Sequence, residues 1–265
     1  MFTSLWRDRK PVIGMVHLKA LPGSPQYAGD LEEIYSFALR DAEALAEGGA
    51  DAIQIENQFD TPYYLGDRIG PETTAFLTAA AARIRERFPE IPLGINVHLN
   101  GAMQAMAVAK AVGAQFIRCF NLMNAYVSNS GYVSAAAPEL MRYSRAIDAE
   151  HIMVFGDFQV KHGSHAITAD RSLREKAHDI QTAGAAAAIL TGTATGVAPD
   201  ADTIQEVRHG LRIPLLIGSG LNEKNADRLW PLVDGAIVGS GFKRGGDLRQ
   251  PVDRELVRAF MAMTK

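Results

Sequence analysis

The chain has 265 residues, 47% hydrophobic and 22% charged, with a formal net charge of −3 from 27 Lys and Arg against 30 Asp and Glu. That length suits one (β/α)8 barrel of roughly 250 residues, or two domains of about 100–150. The near balance of charge offers no basic face for nucleic acid or an anionic membrane, and the single cysteine excludes an intramolecular disulfide.

Residues 1–7 lack the apolar segment of a secretory signal. The longest apolar run, 183–190, is interrupted by Gly184 and falls far short of the ~18 residues of a membrane span. A cytoplasmic protein with no membrane insertion is therefore expected. Apolar, β-rich runs at 12–18, 52–56, 93–98, 116–120, 152–158, 187–191, 215–218 and 236–239 predict eight strands. Helical patterns at 31–47, 73–88, 103–112, 138–149, 173–183, 203–211, 224–232 and 252–263 fill the gaps. Asp30, three residues before Glu33, predicts an N-cap, and Gly48-Gly49 a stop. Gly113 and Gly184 end the third and fifth helices. Such alternation predicts βαβ units, a parallel sheet and, with no linker-like break, one α/β domain over 1–265, a (β/α)8 TIM barrel. A doubly wound open sheet is the leading alternative.

A barrel of this kind works at the C-terminal ends of its strands. Those ends supply His17; Gln54, Glu56 and Asn57; Asn96, His98 and Asn100; Arg118 and Asn121; Asp157, Gln159, Lys161 and His162; and Thr191, Thr193 and Thr195. Polar groups are costly inside an apolar barrel unless paired, so their concentration at one end predicts a polar pocket. Glu56 suits a general base and Asn57 an orienting amide; the alternative is a satisfied carboxylate paired with Arg118. Asp157 and Lys161, four residues apart, would share a strand face. Lys161 there would be a proton carrier or a Schiff-base amine with a depressed pKa. Beyond the strand it would be a phosphate or carboxylate ligand, and the alternative is a surface salt bridge. Cys119, in the apolar run 116–120, reads as a small core residue, with a catalytic thiolate as the lesser reading. His17, Glu56, His98, Asp157, His162 and His165 are metal-binding types, but they are scattered. No metal site or cofactor is expected, and Mg2+ would enter only with a phosphate substrate.

The most specific signal lies in the last quarter. Strand 215–218 runs into Gly218-Ser219-Gly220, and strand 236–239 into Gly239-Ser240-Gly241, with Lys243 nearby and Asn222 as an N-cap. Glycines let backbone approach an anion and expose N–H donors, and the last two βα loops of such barrels form a phosphate site. A phosphorylated small molecule is the expected partner; two tight turns that merely need glycine are the alternative. Loops 59–70 and 121–137, rich in aromatic and polar residues, read as lids or as contacts of a homo-oligomer. A disordered connector is the other reading.

Several stretches together carry a resemblance. They are Gly14-Met15-Val16-His17-Leu18 with Leu21-Pro22-Gly23-Ser24-Pro25, Ile55-Glu56-Asn57, Gly94-Ile95-Asn96-Val97, Phe116-Ile117-Arg118, Val160-Lys161-His162, the 191–196 run and the two glycine turns. Over nearly its whole length the chain resembles the BtpA/SgcQ family. The resemblance implies a ribulose-phosphate-binding barrel whose pocket holds Glu56, Asn57, Asn96, Arg118, Lys161, His162 and Thr193. The family is named for a factor needed for photosystem I accumulation, and other members are linked to sugar metabolism. It thus implies either an enzyme for a phosphorylated sugar or related metabolite (isomerase, lyase or glycosidic hydrolase) or a non-enzymatic assembly or stability factor. The chain departs from the family's usual sequence at Gln58-Phe59, at His98-Leu99-Asn100-Gly101 and at Asn129-Ser130-Gly131.

Overall fold

A computed structural model describes residues 2–7 and 9–264. Its strands are β1 (Val12–His17), β2 (Ala52–Glu56), β3 (Leu93–Asn96), β4 (Phe116–Cys119), β5 (Tyr126–Ser128), β6 (Gly131–Val133), β7 (Met153–Gln159), β8 (Gly163–Ser164), β9 (Ala187–Leu190), β10 (Leu215–Ile217) and β11 (Gly235–Val238). Eight of them close a parallel barrel in the order β1-β2-β3-β4-β7-β9-β10-β11, with β11 returning to β1. The (β/α)8 architecture is thus present and the open sheet is excluded. The helices are α1 (Phe2–Trp6), α2 (Leu31–Gly48), α3 (Pro71–Arg87), α4 (Ala102–Val112), α5 (Ala137–Ala146), α6 (Leu173–Thr182), α7 (Ala201–Arg208), α8 (Ala226–Leu229) and α9 (Arg254–Thr264). Each barrel strand lies within two residues of its sequence expectation at either end.

Alternation along each strand explains the interior. Val12, Val16, Ile53, Ile55, Leu93, Ile95 and Ile117 pack outward in the core shared with the helices. Ile13, Met15, Ala52, Phe116, Met153, Phe155, Ile189, Leu216 and Ile237 fill the barrel. Phe2 and Trp6 of α1 join this inner cluster, with Trp6 6.1 Å from Phe116 and Phe2 5.7 Å from Phe155. The apolar N-terminal residues therefore plug the floor. Further along the same inward rows stand Gln54, Glu56, Asn96, Arg118 and Asp157, where apolar filling gives way to polar and charged groups.

The Asp30 side chain accepts from the Glu33 amide at 3.0 Å and caps α2, which ends on Gly49 at φ 90°. Asp30→Ala should cost about 1 kcal/mol, read as a lowered urea midpoint at unchanged slope; no shift in the midpoint would remove the cap from the account.

Loop 121–137 is ordered rather than a connector. It folds into the antiparallel pair β5-β6, which β8 extends into a three-stranded sheet. Asn129-Ser130-Gly131 forms the hairpin turn, where the Ser128 hydroxyl donates to Gly131 O at 2.9 Å and accepts from the Ser130 amide at 3.1 Å. Asn222 does not cap α8 with its side chain: the helix begins at Ala226, and the Asn222 carbonyl accepts from the Ala226 amide. Lys243 is also placed differently from expectation. It is fully buried against Asp41 of α2 at 3.0 Å and donates to Gln250 O at 2.7 Å, so it ties α2 to the closing segment.

Candidate active site at the C-terminal mouth

Register brings the first group together. His17 pairs with Glu56 across β1 and β2, and Glu56 with Asn96 across β2 and β3, all with side chains in the barrel. Asn96 Nδ2 donates to Glu56 Oε2 at 2.8 Å. His17 Nε2 stands 3.3 Å from Glu56 Oε1, and His98 Nε2 3.5 Å from the same oxygen. Glu56 is 5% exposed. Burial works against its ionised form, but the positive field of His98 and the contacts of both histidines outweigh burial and hold the carboxyl well below its ordinary range. The expected alternative partner, Arg118, is elsewhere.

Arg118 belongs to a second group. Its Nε and Nη2 donate to the two oxygens of Asp157 at 2.8 Å each, a bidentate pair between neighbouring strands β4 and β7. Burial alone would lower the Arg118 pKa; the Asp157 pair more than offsets it. A surface salt bridge between Asp157 and Lys161 does not form. The β7 register shifts between Asp157 and Gln159, and Lys161 lies past the strand end with Nζ 3.4 Å from Ser219 Oγ. Burial, then the neighbouring Arg118 charge, lowers the Lys161 pKa to about 8. Acetylation followed by mass spectrometry should show Lys161 reacting with a midpoint near pH 8; a midpoint near the ordinary 10.5 would contradict this environment.

One cavity of about 30 Å³ collects His17, Glu56, Arg118, Lys161, Gly218, Ser219, Gly220, Gly239 and Ser240, with Met15, Gln58, Thr195 and Leu248 also on its wall. Among the described residues no partner is found for the amides of Ser219, Gly220, Gly239 or Ser240, whereas the Gly218 amide is taken by Leu190 O at 2.9 Å. Gly220 has φ +80°, and a Cβ there would lie 2.1 Å from the Ala198 nitrogen and 2.2 Å from the Val197 carbonyl carbon. That glycine is thus required by loop 191–199 packing over the turn. Gly241 faces Leu221 O and Asn222 and is not part of the cavity wall.

Other expected site residues lie around this cavity rather than in it. Asn57 fixes the next loop: its Oδ1 accepts from the His98 amide at 2.7 Å and its Nδ2 donates to Asp60 at 2.8 Å. His162 Nε2 bonds Thr195 Oγ1 at 2.9 Å, and its amide donates to the Thr193 carbonyl at 3.3 Å. Thr191 donates to Gln159 O at 3.0 Å. These contacts join the β7 and β9 loops above the mouth. Cys119 is buried, and burial pushes its thiol up to about 12, which removes the thiolate reading. Among the described residues, no group of three or more His, Cys, Asp or Glu is arranged to hold a metal ion. Sequence reasoning overlooked the wall residues Gln58 and Leu248 and the stack of Tyr63 on His98, with centroids 4.5 Å apart. Loop residues facing a strand end carry no periodicity that would flag them.

The model of the BtpA family matches residues 8–265. The chain belongs to the BtpA family. An uncharacterized protein of Archaeoglobus fulgidus is 41% identical over 250 residues, 94% of this chain and 98% of that one. The photosystem I biogenesis protein BtpA of Synechocystis is 34% identical over 257 residues, 97% of this chain and 88% of that one. Among solved structures, N-(5'-phosphoribosyl)anthranilate isomerase of Pyrococcus furiosus superposes with a TM-score of 0.57 at 18% identity, covering 97% of this chain and 98% of that one. That likeness is one of fold. Among the described residues of this BtpA-family barrel, no helix is long and apolar enough to cross a membrane.

Proposed function

We propose that this BtpA-family barrel is an enzyme acting on a phosphorylated sugar or a related metabolite. One observation carries the reading: unpartnered amides of Ser219, Gly220, Gly239 and Ser240 share a cavity wall with Lys161 and Glu56. Free amides at the last two strand ends suit a phosphate dianion. Glu56, ionised through its histidine contacts, is the base, and Lys161, protonated below about pH 8, is the acid that meets developing negative charge. Arg118, held by Asp157, adds a fixed positive field. Asn96 orients Glu56. Isomerisation, elimination and glycosidic hydrolysis all need such a proton-moving pair. No resident cofactor is required for it, and Mg2+ would arrive only with the phosphate group.

The test is a thermal-shift screen of sugar phosphates and inorganic phosphate. Wild type should be stabilised by several degrees at millimolar phosphate ester. Ser240→Asp, which puts a carboxylate among the amides, should abolish that shift. A second reading, a scaffold for assembly of another complex, is favoured by the name of the Synechocystis relative. Stabilisation by no phosphate compound, with a protein partner retained through purification, would support that reading and overturn the first.

A further inference from the structure

Two negative groups compete for one small cavity. Its volume is about 30 Å³, and its wall carries the ionised Glu56 carboxylate as well as the free amides that suit a phosphate dianion. Like charges so confined repel unless a cation stands between them. Arg118, the fixed cation on this wall, is committed to both oxygens of Asp157. Lys161 keeps its proton only below about pH 8. His98 meets Glu56 from the loop after β3 at 3.5 Å, but it is not on the cavity wall.

His17 has the intervening position. It is 4% exposed, on the cavity wall, with Nε2 3.3 Å from Glu56 Oε1. The same ring lies against the β11 turn, where a Cβ on Gly239 would stand 2.9 Å from His17 Cε1 and 3.3 Å from Nε2. Gly239 has φ −113°, so the space taken by the ring, not a left-handed backbone, demands glycine there. An anion taking the Gly239 and Ser240 amides would therefore lie beside the ring that also meets Glu56. An imidazolium carries two N–H donors. Glu56 faces Nε2, whereas Nδ1 has no hydrogen-bond partner among the described residues. The protein by itself thus compensates only half of a charged ring.

We infer that His17 couples the oxyanion to a proton: when a phosphate dianion lies on the β10 and β11 turns, His17 stands as an imidazolium between it and Glu56. The inference rests on the phosphate reading above, and it gives a role to a wall residue that the Glu56–Lys161 pair leaves unused.

Sulfate is the probe, since it keeps both charges over the range in which phosphate and imidazole titrate. The His17 ring signals, followed by NMR against pH, should show a midpoint higher by about one pH unit or more with saturating sulfate than without it. By linkage, sulfate should bind about tenfold more tightly to the protonated ring, and that advantage should be lost as pH rises through the sulfate-bound midpoint. His17→Asn, which keeps a polar side chain but takes no proton, should remove this step from the calorimetric affinity and leave the weakening near pH 8 that Lys161 causes. The ring titration needs only the wild-type protein, so it decides the matter even if the variant misfolds. A His17 midpoint that bound sulfate leaves unchanged or lowers overturns the coupling and leaves the oxyanion reading intact. If neither sulfate nor inorganic phosphate binds, both fall.

Discussion

Glu56→Gln is expected to lower turnover of the sugar phosphate by about 10²–10⁴-fold, the range that a positioned proton carrier supplies. Glutamine preserves the shape and can still accept the Asn96 bond, so the protein should fold and bind phosphate as before. What it loses is the negative charge that His17 and His98 stabilise. The pH profile of the wild type carries a second signature. Glu56 is held ionised well below its ordinary 4.5, so it sets no limb near neutrality. Lys161 acts as the acid, so activity should fall as pH rises through about 8, where the lysine loses its proton. Glu56 also contributes to stability: with its folded pKa depressed, that contribution is present above 4.5 and lost as pH falls through the folded value. Turnover of Glu56→Gln within a few-fold of wild type would remove Glu56 from the chemistry.

Arg118→Met is expected to destabilise the barrel by about 3–5 kcal/mol, because it strands a carboxylate inside the barrel. Asp157 is 0% exposed, and both its oxygens accept from Arg118 at 2.8 Å. In a domain of this size that loss corresponds to a fall in Tm of roughly 10 °C. Removing both charges, as Arg118→Met with Asp157→Leu, should recover most of the stability, since a buried ion pair is replaceable by apolar residues of similar volume. Activity should not recover, because the fixed guanidinium charge on the cavity wall is gone and only Lys161 remains. A single variant that melts within 2 °C of wild type would show that Asp157 finds another partner or is protonated in the fold.

The barrel was legible because its signals are local. Each strand is a short apolar run between turn residues, and each inward row alternates. The polar strand ends were legible for the same reason: His17, Gln54, Glu56, Asn96, Arg118 and Asp157 follow apolar residues on the inward rows. Pairing was not legible. Glu56 bonds Asn96 and approaches His17 because β2 lies between β1 and β3 in that register, whereas Arg118 meets Asp157 across β4 and β7. Only closure of the barrel settles which neighbours meet. Asp157 and Lys161 share a spacing, but the register shift after Asp157 breaks the alternation that would have aligned them. Lys243 sits two residues from the second glycine turn in sequence, yet a short 3-10 turn over Ser240–Phe242 carries its side chain back to Asp41. The β5, β6 and β8 sheet was missed because strands of two or three residues leave no measurable period.

The unpartnered amides at the β10 and β11 turns are expected to grip an oxyanion. Amide NMR shifts followed during titration with inorganic phosphate address it residue by residue. The Ser219, Gly220, Gly239 and Ser240 signals should move together along one saturating curve, while amides at the Trp6 floor stay in place. A titration in which those four remain still, or in which phosphate perturbs only some other surface, would contradict the account.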